Sequence, residues 1–369
     1  MKVLLLLPYA WDTVPGQRYR IEQWVPHLER LGVTFERDIL LERDEVQRLF
    51  WGKSPMAKAI MLAKAILKRE WRIRSLKGFD CIWLYRSSWP IGPAWAEKWL
   101  ARRGFRLILD FDDAIWIVRT SDSNRRWAWL KFANKTAEIC EVAAHVVVGN
   151  RFLADYASRF NPEVTVVPPT VDLNIYDMAA VNRPDRYCRS DDRPFVIGWT
   201  GSHTTSPYLK IVEPALRILA QRHNIVLRVI GDPNYRAEGF PYENVDWNAV
   251  TEVRDLVPLD AGIMPMFHYE WARGKCGMKA IQYMALGIPS VVTPIGFNLE
   301  LIRHDENGLL ADSVDDWVQC LERLIVDPAL RRRLGEAGRH TIESDFSASV
   351  QAPRVLEVLR AASTASLRR

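Results

Sequence analysis

The sequence has no hydrophobic run long enough to cross a bilayer. Uncharged apolar stretches such as residues 3–10 and 143–149 fall well short of the roughly 20 residues that a membrane-spanning helix needs. The opening residues also lack the small-residue cleavage site of a signal peptide, because the first apolar run ends at Pro8 and leads to polar Asp12. We therefore expect a cytoplasmic protein that begins with a buried strand.

Cysteine is scarce, and the few cysteines are far apart in the sequence. There are five of them, an odd number, and none has the close paired spacing of a zinc site or a disulfide framework. We expect reduced thiols at Cys81, Cys140, Cys188, Cys276 and Cys320.

Compositional bias is absent as well. With 48% apolar and 26% charged residues, the chain is not disordered, collagen-like or a coiled coil. Its 369 residues are more than one hydrophobic core usually serves, so two domains of ordinary size are expected.

Charge, by contrast, is concentrated in one place. The net charge is +5, yet residues 52–78 hold eight Lys/Arg and one Glu, a net +7, which leaves 42 basic and 44 acidic residues elsewhere. Such a segment favours a local anionic partner, a membrane surface or a polyphosphate, over a nucleic-acid groove.

Short apolar runs alternate with longer helical patterns along the whole chain. This alternation is typical of β-α-β units around a parallel sheet. The first group of predicted strands comprises residues 3–7, 81–85, 106–109, 145–148 and 164–167. The second group comprises residues 195–199, 226–230, 261–264 and 290–293, with helices over 207–221 and 278–286.

Between the two groups the periodicity is lost, and Pro, Asp, Asn and Arg accumulate as in a linker. We therefore predict an α/β chain of two Rossmann-like domains facing a central cleft, where ligands bind beyond the carboxyl ends of the strands. The predicted boundaries are 1–168 for the N-terminal domain, 169–194 for the linker, 195–350 for the C-terminal domain, and 351–369 for a C-terminal helix and tail whose residues 361–369 fray.

Residues 260–296 form the most informative segment. A strand ends at Met264, a basic turn with two glycines follows over residues 273–277, and a helix runs from near Met278 to Gly287. A helix N-terminus attracts anions, and Lys275 and Lys279, four residues apart, share one face there. The segment therefore predicts a diphosphate cradle, with a purely structural glycine turn and solvated lysines as the equal alternative.

With these motifs the sequence resembles the retaining glycosyltransferases of the GT-B fold, specifically glycosyltransferase family 4. The motifs that carry the resemblance are residues 197–209, 260–296 and 306–339, with weaker matches at 16–20, 109–116 and 146–157. The resemblance implies transfer of a sugar from a nucleotide-diphosphate donor to a glycan or lipid-linked acceptor in cell-surface polysaccharide or glycoconjugate synthesis. It implies a donor site in the C-terminal domain, an acceptor site in the N-terminal domain and no metal cofactor.

One departure from the family is clear. Two glutamates eight residues apart are common around the donor helix, and Gly274 and Gln282 stand at those positions here. Gln282 still offers an amide oxygen and two N–H donors to ribose hydroxyls, and Glu270 lies near enough in sequence to replace the first acid. The missing pair leaves open the alternative of a non-catalytic sugar-nucleotide or glycan-binding scaffold protein of GT-B fold.

The resemblance assigns the donor-binding residues one by one. They are Gly201, Ser202, Gly231, Trp247, Gly274, Lys275, Cys276, Gly277, Lys279, Gln282 and Glu300. For the loop that contains Gly201 and Ser202, the alternative is a purely structural one, in which Thr205 or Ser206 caps the helix that begins at Pro207. For Trp247 the alternative that we favour is a buried ring rather than a stacking surface for the base.

The acceptor side is expected in the first domain. Asp110, Asp112 and Asp113 follow a predicted strand, and three carboxylates there require cationic partners such as Arg86, Arg18 or Arg20. An Mg²⁺ site is the weaker alternative. The remaining acceptor-side candidates are Gly16 and Gln17, and the catalytic candidates are Asp112, Asp113, Lys275 and Lys279.

The basic segment has the pattern of an amphipathic helix over residues 56–72. One sector holds Met56, Ala59, Ile60, Ala63, Ile66, Leu67 and Trp71, and the opposite one holds Lys58, Lys64, Lys68, Arg69 and Arg72. We expect the apolar sector to pack on the domain and the basic sector to face solvent. A basic surface of this kind suits an anionic membrane.

Overall fold

The computed structural model describes residues 1–52, 54–117, 132, 134–180 and 193–365. The chain divides into two compact units, the first made of Met1–Pro169 with Gln351–Arg369 and the second of Thr170–Val350. Among the residues described, no helix is long and apolar enough to cross a membrane.

The first unit is built on a six-stranded sheet of order β2-β1-β3-β4-β5-β6, in which all neighbours are parallel. Its strands are β1 (Lys2–Tyr9), β2 (Thr34–Leu41), β3 (Cys81–Tyr85), β4 (Leu107–Phe111), β5 (His145–Val148) and β6 (Val164–Val166). Its helices are α1 (Pro15–Gln17), α2 (Val25–Arg30), α3 (Arg43–Trp51), α4 (Pro55–Arg74), α5 (Trp95–Arg102), α6 (Lys135–Val142) and α7 (Arg151–Ala157), with a π-helical segment at Arg18–Glu22.

The second unit has a sheet of the same kind, with order β12-β11-β10-β7-β8-β9 and parallel pairs throughout. Its strands are β7 (Phe195–Thr200), β8 (Ile225–Ile230), β9 (Tyr242–Val245), β10 (Ala261–Met264), β11 (Ser290–Val292) and β12 (Leu309–Leu310). The helices that begin in it are α8 (Leu173–Ala180), α9 (Glu213–Arg222), α10 (Glu252–Leu256), α11 (Glu270–Arg273), α12 (Met278–Ala285), α13 (Asn298–Leu301), α14 (Val314–Val326), α15 (Pro328–Thr341) and α16 (Ala348–Thr364). Ser206–Ile211 is a 3₁₀ helix and Ile342–Phe346 is π-helical.

Three strands were missed by the sequence analysis, namely β2, β9 and β12. Each lies at an edge of its sheet. An edge strand has one edge open to solvent and so carries polar residues, such as Glu36 and Arg37 in β2. Central parallel strands, covered on both faces, give the continuous apolar runs that a sequence reveals.

Three other expectations were wrong in detail. The predicted linker contains α8, whose Tyr176 is buried. The helix predicted over 207–221 is a 3₁₀ helix followed by α9. The tail does not fray from residue 361, because α16 continues to Thr364.

Helix α4 packs on the first unit with the face opposite to the predicted one. Ala65, Arg69 and Ile73 are buried. The Arg69 guanidinium bonds Asp38 Oδ1 at 3.0 Å and donates to the carbonyls of Leu7 and Ser88. These acceptors on β1, on β2 and after β3 compensate the cost of burying an arginine, and the apolar sector is left outside.

The four described cysteines, Cys81, Cys140, Cys276 and Cys320, are free thiols buried in the fold. Burial raises the pKa of Cys81 and Cys140 to about 12. The expectation for Cys188 lies outside the described residues.

Candidate functional site

Two glycines shape the basic turn that precedes α12. Gly277 has a φ of 65°, and a Cβ there would lie 2.9 Å from the Phe297 ring. A Cβ on Gly296, in the loop after β11, would lie 2.7 Å from the carbonyl oxygen of Arg273. The glycines therefore let two loops pack closely, and Gly277 begins α12 without a side-chain cap. The first N–H groups of that helix remain suited to an anion.

Two lysines stand beside this helix N-terminus. Lys279 Nζ lies 5.4 Å from the centre of the Trp199 ring, and Lys275 Nζ lies 3.8 Å from that of Trp271. Burial, and then the charge of Lys275, lowers the pKa of Lys279 to about 8. No ion pair joins Lys279 to a carboxylate in the part of the chain that the structure describes. A bound anion would relieve the repulsion between the lysines.

The loops after β7 and β8 meet at a second pair of glycines. Gly231 has a φ of 98°, and a Cβ on it would lie 2.0 Å from the carbonyl oxygen of Gly201. Gly201 N donates to Ile230 O, and Gly231 N donates to Val245 O. The backbones of the two loops thus approach each other at the carboxyl ends of neighbouring strands, where open α/β sheets bind ligands.

The other donor-side candidates fall into three settings. Gln282 and Cys276 are buried, the first within α12 and the second with its Sγ 3.6 Å from Gly274 O. Ser202 and Glu300 are exposed, and Ser202 bonds Thr204. Trp247 is half-buried, beside Gly231, and its indole N–H donates to Glu252. Thr205 and Ser206 do not cap the following helix by their side chains, and Ser206 instead donates to Asp232.

In the first unit, Arg20 and Asp110 form a buried ion pair. Arg20 Nε lies 2.9 Å from Asp110 Oδ1, and Arg20 also donates to Val167 O. Burial, the largest influence, raises the pKa of Asp110, and the charge of Arg20 only partly offsets it. This pair joins the π-helical segment after β1 to the end of β4.

Asp112 lies beside it, held by Arg86 and Tyr85. Arg86 Nη2 donates to Asp112 Oδ1 at 2.8 Å and the Tyr85 hydroxyl does so at 2.9 Å. Burial acts to raise the pKa of Asp112, but the charges of Arg86 and Arg20 and these hydrogen bonds outweigh it and lower the pKa. Arg86 has a φ of 63°, and strained residues of this kind cluster at functional sites.

Gly16 packs against the same group. A Cβ on Gly16 would lie 2.5 Å from Tyr85 Oη and 3.0 Å from Asp112 Oδ2, so this position has room for glycine alone. Asp113 Oδ1 accepts from Ala114 N within its own turn. Two of the three arginines expected to face these carboxylates, Arg20 and Arg86, do so.

Arg18 pairs with Asp12 instead, at 2.6 Å. Gln17 is buried and donates to Glu22 Oε1 at 2.7 Å. Burial raises the pKa of Glu22 to about 7, although Gln17 opposes the shift. Glu22 was missed because nothing in the local sequence shows that a π-helical segment turns it inward.

Tyr85 and Trp199 were also missed as members of these groups. Each lies at or near the end of a buried strand. In such an apolar run, the sequence indicates only a residue of the hydrophobic core. Among the residues that the structure describes, no group of three or more His, Cys, Asp or Glu is placed to hold a metal ion. Asp110 pairs with Arg20, and Asp112 pairs with Arg86.

The predicted site residues therefore form three groups, two in the second unit and one in the first. The second unit brings together Gly274, Lys275, Gly277 and Lys279, and separately Gly201, Gly231 and Trp247. The first unit brings together Gly16, Arg86 and Asp112, with Arg20 and Asp110 beside them.

Comparisons with known proteins show similarity to glycosyltransferases. Residues 194–327 match the family model described as glycosyl transferases group 1. The chain is 26% identical over 224 residues, 56% of its length, to the D-inositol 3-phosphate glycosyltransferase of Pseudarthrobacter chlorophenolicus. It is 24% identical over 175 residues, 45% of its length, to the capsular polysaccharide biosynthesis glycosyltransferase CapM of Staphylococcus aureus. The chain spans about half the length of these two relatives, 49% and 46%.

A solved structure is similar over nearly the whole chain. It is Anabaena HepE in complex with UDP-glucose, with a TM-score of 0.65 and 15% identity, and the likeness covers 98% of this chain and 100% of that chain. The predicted GT-B fold and the resemblance to GT-B glycosyltransferases are confirmed.

Proposed function

We propose that this protein is a glycosyltransferase that moves a sugar from a nucleotide-diphosphate donor to a hydroxyl of a glycan or lipid-linked acceptor. The observation that carries the proposal is the position of Lys279, half-buried beside Lys275 at the uncapped start of α12. Two cations and a helix N-terminus form a site for a compact anion of high charge. The match of this unit to glycosyl transferases group 1 supports a sugar diphosphate as that anion.

The chemistry of transfer requires stabilisation of the leaving diphosphate. As the bond from the sugar to the diphosphate oxygen breaks, negative charge grows on that oxygen, and nearby fixed cations lower the barrier. Lys275, Lys279 and the first N–H groups of α12 are suited to this role. We therefore propose transfer without a metal cofactor, so that activity should persist when EDTA removes divalent cations.

The stereochemical part of the proposal is a retaining, family 4-like reaction. In a front-face reaction the leaving oxygen itself accepts the proton of the incoming hydroxyl, so that no protein nucleophile is needed. Asp112 fits such a reaction as a fixed negative charge and hydrogen-bond acceptor for the acceptor sugar. Its lowered pKa, caused by Arg86 and Arg20 against the effect of burial, makes it a weak base at neutral pH.

Two of the similar proteins guide the substrate classes. Anabaena HepE binds UDP-glucose in its solved complex, and the CapM name refers to capsular polysaccharide biosynthesis. We therefore propose a UDP-sugar as the first donor to test and a role in cell-surface polysaccharide or glycoconjugate synthesis. The amide oxygen of Gln282 would accept a hydrogen bond from a ribose hydroxyl of the donor.

The experiment is a thermal-shift screen of UDP-, GDP-, ADP- and CMP-sugars, followed by assay of the stabilising donor for hydrolysis and transfer. A ligand that binds the native state raises the melting temperature by mass action, and the anomeric configuration of the product, read by NMR, tests retention. Gln282→Glu keeps an acceptor for ribose and should keep the shift, whereas Gln282→Leu should lose it.

The absence of the glutamate pair at Gly274 and Gln282 favours a second candidate, a non-catalytic sugar-nucleotide or glycan-binding scaffold. A donor that shifts the melting temperature but is neither hydrolysed nor transferred would support the scaffold. Absence of any shift with all four classes of donor would contradict the donor site itself.

A further inference from the structure

The outer face of α4 carries a row of large apolar side chains in solvent. Met56 is 73% exposed, Leu67 69% and Trp71 81%, with Ile60 and Ala63 exposed between them. At about 100° per residue these five positions fall on one face of the helix. We call these five residues the apolar stripe.

The stripe is held outward by the opposite face of the same helix. Arg69 is buried and bonds Asp38 Oδ1, the carbonyl of Asp38 and two further carbonyls. Rotation of α4 to bury the stripe would leave this guanidinium and Asp38 without their partners, which is strongly unfavourable in a protein interior. The exposure of the stripe is therefore a fixed feature of the fold.

Lysines line one edge of the stripe. Lys64 and Lys68 are exposed, and neither forms an ion pair with any residue that the structure describes. We call these two lysines the basic edge. The one acid of the segment, Glu70, faces Arg74 at 3.6 Å. Arg72 does not belong to this edge, because it is tied to Glu36 and Asp38 at 2.7 and 2.9 Å.

We propose that the apolar stripe and the basic edge form a docking surface for an anionic phospholipid bilayer, with α4 lying in the plane of the interface. An exposed Trp, Leu and Met face beside exposed lysines has the composition of interfacial helices, and lysines at that depth meet anionic headgroups. This surface belongs to the first unit and does not depend on the proposed transfer reaction.

A second copy of the chain fits the same face less well. In a two-fold dimer with antiparallel α4 helices, each basic edge would face the identical edge of the other copy. Like charges at that distance repel. An anionic bilayer instead complements both the lysines and the net charge of +7 over residues 52–78.

The test is co-sedimentation of the full chain with vesicles of phosphatidylcholine alone or mixed with phosphatidylglycerol, at low and high salt. We expect binding to the mixed vesicles that declines with salt and little binding to phosphatidylcholine. Leu67→Gln with Trp71→Gln should abolish it. Lys64→Gln with Lys68→Gln should lower the partition coefficient on the order of tenfold or more.

A matched control lies in the second unit. Val250 is 90% exposed and Lys210 is also exposed, so Val250→Gln with Lys210→Gln removes the same kinds of side chain elsewhere and should leave binding unchanged. All these side chains are exposed, so melting temperatures should not change. Analytical ultracentrifugation of each variant measures self-association.

Three results would overturn the proposal. They are no binding to mixed vesicles at low salt, binding that neither α4 double variant reduces, and self-association that the Leu67/Trp71 variant abolishes in a protein that binds no vesicles. Equal binding to both kinds of vesicle would contradict the role of the lysines.

Discussion

Lys279 lies over the indole ring of Trp199, with its Nζ 5.4 Å from the ring centre. Trp199 is the last residue but one of the buried strand β7 in the second unit, and Lys279 is in the first turn of α12. The ring face attracts the cation, while burial and Lys275 oppose its charge. This contact places the ammonium group at the carboxyl ends of the strands before any ligand arrives.

Replacement of Lys279 by Met should lower the turnover of a confirmed donor by about 10²- to 10³-fold, because the leaving diphosphate loses a fixed cation. Steady-state kinetics with the donor checks this. Lys210→Met, at an exposed position in the same unit, is the control and should retain full activity. Unchanged turnover in Lys279→Met would remove this lysine from the reaction.

The affinity for UDP should fall as the pH rises through about 8, the value to which burial and Lys275 lower the pKa of Lys279. The bound diphosphate favours the protonated amine, so the complex has the higher pKa, and deprotonation of the free protein weakens binding. Isothermal titration calorimetry from pH 7 to 9.5 measures this. Lys279→Arg, which stays charged, should flatten the profile, and a parallel decline in this variant would point to another group.

Gly231→Ala should destabilise the second unit more than a positive φ alone explains. The φ of 98° is strained for alanine, and the new Cβ would lie 2.0 Å from Gly201 O. Gly32→Ala is the matched control, with a φ of 86° and nothing within 4 Å of the new Cβ. We expect the control to lower the free energy of unfolding by about 1–2 kcal/mol and Gly231→Ala to lower it clearly more. Thermal unfolding measures both losses, and UDP should raise the melting temperature of Gly231→Ala less than that of the unsubstituted protein. Equal losses would mean that the loops adjust freely.

Arg69→Met should destabilise the first unit by about 3–5 kcal/mol, because it removes the buried arginine of the two that pair with Asp38 and the donor to three buried carbonyls. Arg74→Met, on the same helix, removes a guanidinium that is 70% exposed and should change stability by less than about 0.5 kcal/mol. Urea unfolding followed by circular dichroism compares the two variants. Similar small losses in both would show that α4 is not anchored through Arg69.

Local sequence carried enough information for the central strands. Residues 81–85, 145–148 and 261–264 were predicted with the bounds that β3, β5 and β10 have in the structure. These strands are buried along their whole length and consist almost entirely of apolar residues. The edge strands β2 and β9 carry charged residues and β12 has two residues, so no pattern marked them.

The glycine-rich basic turn before α12 could likewise be predicted, since glycines, a lysine spacing of four and a helix start all lie within a few residues of one another. The partners of the acidic group could be proposed but not assigned. Arg18 and Arg20 are two residues apart, yet one pairs with Asp12 and the other with Asp110. That choice depends on the π-helical segment, which directs the two side chains to different sides.

The amphipathic pattern of α4 was correct as a pattern, but the face that packs was predicted wrongly. Periodicity records which residues share a side of a helix and says nothing of what lies beneath it. Asp38 and the carbonyls of Leu7 and Ser88 are distant in sequence from Arg69 and meet it only when β1, β2 and α4 assemble. Short-range composition thus established the parallel α/β architecture and the basic glycine turn before α12, whereas long-range hydrogen bonds, which balance the cost of burying charge, selected the buried face and the ion pairs.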